Sequence, residues 1–283
     1  MKKNRITTPI LIFIFLVGLC LLLYPKVSNY WNSLHQTRDI NQYVNEVEGI
    51  DPATYSKVLG AAAEHNRSLI DRDNQFKLTD EQAEAYPELL NISGNGIMGY
   101  IEIPIINVTL PIYHGTSNAV LQTAVGHLDW TSLPVGGDST HCVLSGHRGL
   151  PSSKLFTDLD KLVVKDIFTI RILDETLTYE VDQILIVEPE DASALQIVQG
   201  ADYCTLVTCT PYGINTHRML VRGHRIENIA AATVTHVTAD AIQIEPMLVA
   251  PIIFTVILLV VLISLAITSR SKLSVKEEPY EDE

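Results

Sequence analysis

Positive charge is what this chain has least of. Lysine and arginine number 20 against 33 aspartates and glutamates, a formal net charge of -13 over 283 residues, which argues against a phosphate-binding surface and against nucleic acid as a partner. Metal-ligand spacing is also missing: His114, His127, His141, His217 and His224 stand scattered, so neither a metal nor a cofactor is expected. No internal repeat occurs, which excludes solenoid architectures. A cleavable leader is not expected either. No small-x-small site follows the first apolar run, and Leu19 precedes Cys20 where a lipoprotein signal would need a small residue.

What the chain does carry is apolar length. At 47% hydrophobic and 19% charged, it fits one globular domain with added membrane segments. Residues 1–5 include Lys2, Lys3 and Arg5, and residues 6–24 form an almost wholly apolar run that reads as a transmembrane anchor. Residues 250–268 carry no charge and suffice to cross about 30 Å of hydrocarbon. Arg270, Lys272 and Lys276 follow them. The positive-inside rule then puts both termini in the cytoplasm and everything from about Lys26 to Met247 outside. Residues 227–249 read as a stalk and residues 269–283 as an acidic cytoplasmic tail.

Residues 25–95 are expected to be helical with polar connections. Val27, Tyr30, Trp31 and Leu34, then Ile40, Tyr43, Val44 and Val47, recur at helical spacing and predict an amphipathic helix with a break near Arg38. Both stripes read as packing surface. Asp51 before Pro52 predicts a cap opening a second helix that buries Tyr55, Val58, Leu59 and Ala62. Thr79 with Gln82 predicts a capping box. From residue 96 to 226 strands dominate, at Ile97 to Ile103, Asn107 to Tyr113, His141 to Leu144, Phe168 to Leu173, Thr176 to Val187, Tyr203 to Thr208 and His217 to Arg225. Short helical insertions are expected at Asn118 to Ala124 and Lys154 to Leu162. Seven or eight short strands imply a mainly β, closed sheet.

Chemistry concentrates at three positions. Thr205 to Arg218 reads as strand, turn, strand, because Pro211, Gly213 and Asn215 interrupt the apolar pattern. A hairpin there sets Cys209 and Arg218 at neighbouring strand ends, a thiol for attack beside a guanidinium for a developing oxyanion. Arginine stays charged and offers several directed donors, which lysine would not match. The alternative for Arg218 is pairing with a surface acid. His147 follows another short strand and supplies the acid needed to protonate a departing amine.

The segments Thr-Leu-Val-Thr-Cys, ending at Cys209, and Ser-Gly-His-Arg-Gly, around His147, closely resemble the sortases, cysteine transpeptidases of Gram-positive cell surfaces. Gly-Tyr-Ile-Glu-Ile-Pro from Gly99 and Cys-Thr-Pro-Tyr-Gly-Ile-Asn-Thr-His-Arg from Cys209 are similar to the pilus-assembling class C. That resemblance implies a sortase-type β-barrel over residues 96–226. It implies catalysis by Cys209, His147 and Arg218 on a Leu-Pro-X-Thr-Gly-like signal at the C-terminus of pilin or surface proteins. It also implies a lysine amine of a pilin as acceptor. Attachment to cell-wall peptide, simple hydrolysis and an inert scaffold of the pilus machinery stand as alternatives.

Class C relatives also imply a lid with an Asp-Pro-aromatic motif. Here Asp71-Arg72-Asp73-Asn74-Gln75-Phe76 has the acid and the aromatic without the proline. Asp73 and Phe76 are the candidate lid residues, and Phe76 either plugs the site or packs locally in a solvated linker. Cys142 and Cys204 each precede a catalytic residue by five positions. In a sortase barrel their strands would run parallel and set the two at equal height, as buried free thiols.

Overall fold

The computed structural model describes residues 7–70, 72 and 74–228. The expected second span, the stalk beyond residue 228 and the acidic tail lie outside the described residues, and so does Asp73.

Helix α1, Thr7–Glu48, runs unbroken through Pro25 and through Arg38. It is apolar and long enough at its N-terminal end to cross a membrane. The expected break near Arg38 is absent because cross-links to the barrel continue on either side of it. Gln36 Nε2 donates to the Thr123 carbonyl at 2.6 Å, and the Tyr113 hydroxyl donates to Asp39 at 3.1 Å. The two stripes of α1 behave differently. Ile40 and Tyr43 are buried, whereas Val27, Tyr30, Trp31 and Leu34 are 62%, 62%, 63% and 47% exposed, so the first stripe is not the packing surface its spacing suggested.

Helix α2, Pro52–Ser68, is opened by the Asp51 carboxylate, which accepts from the Ala53 and Thr54 amides. Its Tyr55, Val58 and Leu59 lie half-buried against the core beside fully buried Ala62. The short α3, Asp80–Ala85, carries both halves of the Thr79–Gln82 capping box.

Eight strands follow: β1 Ile97–Ile103, β2 Val108–His114, β3 Val125–His127, β4 Thr140–Ser145, β5 Ile167–Ile172, β6 Glu175–Val187, β7 Asp202–Thr210 and β8 His217–Ile226. They close in the order β1-β2-β3-β4-β7-β8-β6-β5. The β2–β3 and β4–β7 pairs are parallel, and the remaining neighbours are antiparallel. Inward residues such as Ile101, Ile112, Leu144, Phe168, Ile170, Tyr179, Leu206 and Val221 fill the barrel. Strand β3 escaped the sequence reading because its three residues are all buried and show no alternation. Helix α4, Asn118–Leu121, fits the first expected insertion, but the second contains only a single 3₁₀ turn, Leu159–Lys161.

His141 on β4 is an internal prop. Its Nδ1 donates to the Gln196 carbonyl at 2.8 Å, and the Thr205 hydroxyl donates to its Nε2 at 2.7 Å. Burial holds its pKa down to about 4, against the pull of the Gln196 carbonyl. The unfolded chain therefore takes up the proton first as pH falls. The associated stability, roughly 3 kcal/mol, is complete above about pH 6.5 and drains away toward pH 4. His65, likewise held down to about 4 by burial, adds to the same acid lability. Thermal melts from pH 7.5 to 4.5 are expected to fall steeply for the native chain and less steeply for His141→Gln. Parallel slopes would remove His141 as a cause.

Candidate active site

Cys209 and Arg218 face each other across the β7–β8 pair, in direct register. Proline ends the ladder, since Pro211 has no amide to donate. The chain turns with the Ile214 and Asn215 amides both donating to the Pro211 carbonyl, at 3.1 and 3.0 Å. Gly213 and Asn215 take up φ of 73° and 62°, the left-handed region those two residues tolerate best.

Alternation along β7 sorts its residues between two sides. Cys204 and Leu206 point into the barrel core. Val207 packs outside it with Val143, Leu195 and Leu220, under Leu128, Trp130, Leu185, Val187, Ala192 and Ala194. Cys209 shares the Val207 side by strand period. It is half-buried, so the thiol lies at the end of an apolar floor and is still reachable.

His147 leaves the end of β4 at the same rim. Ser145 is in register with Val207. Beyond it the Gly146 amide donates to the Val207 carbonyl at 3.0 Å, and the Thr208 hydroxyl donates to the Gly146 carbonyl at 2.8 Å. The Phe156 amide then donates to the His147 carbonyl at 3.1 Å. Position 146 must be glycine, because a Cβ there would stand 2.7 Å from the Phe156 ring.

The loop after His147 is joined to the β7–β8 turn. Arg148 pairs with Asp160 and lies over the Tyr212 ring at 5.9 Å. Gly149, at φ 79°, lets the same ring come so close that a Cβ would meet Tyr212 Cε2 at 2.9 Å. Tyr212 thus couples the cysteine strand to the histidine loop, a residue the sequence reading passed over as part of a turn.

Arg218 Nη1 donates to the carbonyls of Asn215 and His217 at 3.2 and 3.1 Å. No surface acid pairs with it among the described residues. Glu188 instead pairs with His217 at 3.2 Å. The guanidinium is therefore anchored by one nitrogen, with its other N–H groups available to a ligand.

Of the two candidate lid residues, Phe76 stacks edge-on against Trp130, with ring centroids 5.5 Å apart at 79°. Arg72 fastens this segment. Its guanidinium donates to the carbonyls of Leu69, Gln75, Lys77 and Trp130. Gln75 Oε1 accepts from the Ile197 amide at 3.0 Å. Arg72, Gln75 and Trp130 had no signal in the sequence, because their partners are backbone groups or come from distant segments. Inside the barrel, Cys142 and Cys204 are register partners, both buried and both free. Both lie in the barrel core, Cys204 five residues before Cys209 on β7, away from the rim.

Residues 101–226 match the sortase-domain family model. The crystal structure of sortase C1 from Streptococcus agalactiae is 55% identical, with a TM-score of 0.66, covering 68% of this chain and 99% of that one. A structure of Clostridium perfringens sortase C with the C-terminal cell wall sorting motif is 43% identical, with a TM-score of 0.60, covering 68% and 100%. Sortase D of Bacillus subtilis is 30% identical over 131 residues, which span 45% of this chain and 63% of that protein.

Proposed function

Because the chain belongs to the sortase family of cysteine transpeptidases, we propose that it is a membrane-anchored enzyme of the pilin-polymerising kind. In this reading the Cys209 thiolate attacks the scissile carbonyl of a Leu-Pro-X-Thr-Gly-like sorting signal. Arg218 donates to the oxyanion, and His147 protonates the departing amine, leaving a thioester on Cys209. A pilin lysine amine then attacks the thioester, His147 takes up its proton, and collapse releases the thiolate with a new isopeptide bond. Two spans, at residues 6–24 and 250–268, would hold the catalytic barrel outside with both termini in the cytoplasm.

The observation that carries this reading is the shared rim. Cys209 is in register with Arg218, and the histidine loop is pinned to the same strand, in a chain 55% identical to a class C sortase. Incubation with a sorting-signal peptide and a pilin-derived lysine peptide, read by mass spectrometry, tests it. An isopeptide product that requires the lysine peptide supports the assignment. Hydrolysis alone, or transfer only to a cell-wall peptide, refutes pilin polymerisation and leaves the family standing. No thioester at all points to the inert scaffold.

Phe76 serves here as the lid's apolar latch. An edge-on aromatic pair contributes about 0.5–1.5 kcal/mol, so Phe76→Ala is expected to raise kcat/KM on the peptide roughly 2- to 10-fold. An unchanged or lower value would make Phe76 a local packing residue.

A further inference from the structure

Resting on the membrane-anchored reading above, we infer that the catalytic end of the barrel sits against the outer lipid headgroups. The bilayer surface itself is then the partner of the exposed aromatic stripe on α1. The barrel is fixed along one face of that helix at several levels. The Lys154 amide donates to Asn29 Oδ1 at 2.7 Å and Asn32 Nδ2 donates to the Ser152 carbonyl at 2.8 Å. Farther along, the Leu173 amide donates to the Tyr43 hydroxyl at 2.7 Å.

These contacts order the barrel's two ends along the helix. Ser152 and Lys154 belong to the loop that leaves His147. Leu173 lies in the β5–β6 turn, and β5 runs antiparallel to β6 while β6 and β7 are both antiparallel to β8. That turn is therefore at the end of the barrel opposite Cys209. From Asn29 to Tyr43 the helix rises about 21 Å. Its N-terminal, membrane-entering part meets the barrel at the catalytic rim.

Up to Tyr24 the helix is exposed all round, as at Phe13, Leu16, Val17, Leu21 and Leu22. Beyond Pro25 only the face turned away from the barrel contacts stays apolar and exposed, at Val27, Tyr30, Trp31 and Leu34. This stripe continues from the span, and it carries tyrosine and tryptophan, the residues that favour the headgroup level. A break or bend at Pro25 would alter the tilt without altering the distance from Pro25 onward. Asn29 and Asn32 lie only about 6 and 10 Å above it along the axis. The headgroup layer is itself roughly 5–8 Å deep. The loop 150–154, with Pro151 exposed, is thereby brought to the lipid surface, and the catalytic mouth opens beside it. A scissile bond a few residues from its own membrane span is within reach, whereas a bond held far above the bilayer is not.

The test uses the full chain in vesicles of phosphatidylglycerol and phosphatidylcholine carrying a headgroup nitroxide. In a Cys20→Ser, Cys209→Ala background, Pro151→Cys or Asp174→Cys receives an environment-sensitive dye, both sites being exposed. With about 21 Å between the two levels, quenching at 151 is expected to exceed that at 174 by at least about threefold. Adding Tyr30→Glu and Trp31→Glu, on side chains already exposed, is expected to lower the quenching at 151. Equal quenching at the two sites, or stronger quenching at 174, overturns the inference while the anchor stands. Failure of the protein to float with the vesicles overturns the anchored reading and the inference with it.

Discussion

Cys209→Ala is expected to abolish turnover of a sorting-signal peptide, by at least about 10⁴-fold, with no thioester intermediate detectable. The barrel should survive, because the side chain is only half-buried at a strand end. The two cysteines of the barrel, Cys142 and Cys204, cannot take over, since both are buried inside it. His147→Ala should cost nearly as much, and the double variant little more than either, because residues acting as a unit are not additive. Arg218→Lys should lower kcat by about 10²–10³ with a small change in KM, as loss of an oxyanion donor does. A lysine variant with native kcat would reduce Arg218 to a structural residue. A thioester trapped on the Cys209→Ala chain would move the nucleophile to another of its cysteines.

The second large effect is on the fold. Gly99→Ala is expected to prevent closure of the barrel, or at least to cost about 3 kcal/mol and lower Tm by roughly 6–12 °C. Gly99 sits where β1 passes β5. A Cβ there would stand 2.2 Å from the Arg171 carbonyl oxygen and 2.5 Å from Ile172 Cδ1. The first obstacle is backbone, which cannot rotate away. Gly60→Ala is the control, because nothing lies within 4 Å of its Cβ position in α2. That change should be neutral or stabilising by up to about 1 kcal/mol. A Gly99→Ala melt as high as that of Gly60→Ala would contradict the close approach.

Much of this was legible from the chain alone, for physical reasons. Long strands announce themselves, β6 by its alternation and β7 by a run of β-branched and apolar residues. The Cys209–Arg218 pairing followed from one hairpin, a local relation. The expected equal height of Cys142 and Cys204, which the parallel β4–β7 register realises, needed the family resemblance, because parallel pairing leaves no local trace. Strand β3 is too short to carry a period. The exposure of Val27, Tyr30, Trp31 and Leu34 was misjudged because helical spacing says that residues share a face and not what covers that face. The ties of Arg72 and Tyr212 were invisible, since a guanidinium on distant carbonyls and a ring on a glycine leave no pattern in sequence.

The parallel β4–β7 pair also fixes the order in which the enzyme can come to life. The strand carrying the way to His147 is made early, yet its hydrogen-bonding partner begins only at Asp202. Until β7 has emerged, Gly146 has neither Val207 nor Thr208 to bind. The loop then has no fixed course. Pairings of such long sequence separation form late and slowly. A chain interrupted between β7 and β8 would carry the histidine and the thiol without Arg218 beside them. A chain that lacks β8 is thus expected to be inactive, because Arg218 and the closure of the sheet arrive together with that strand.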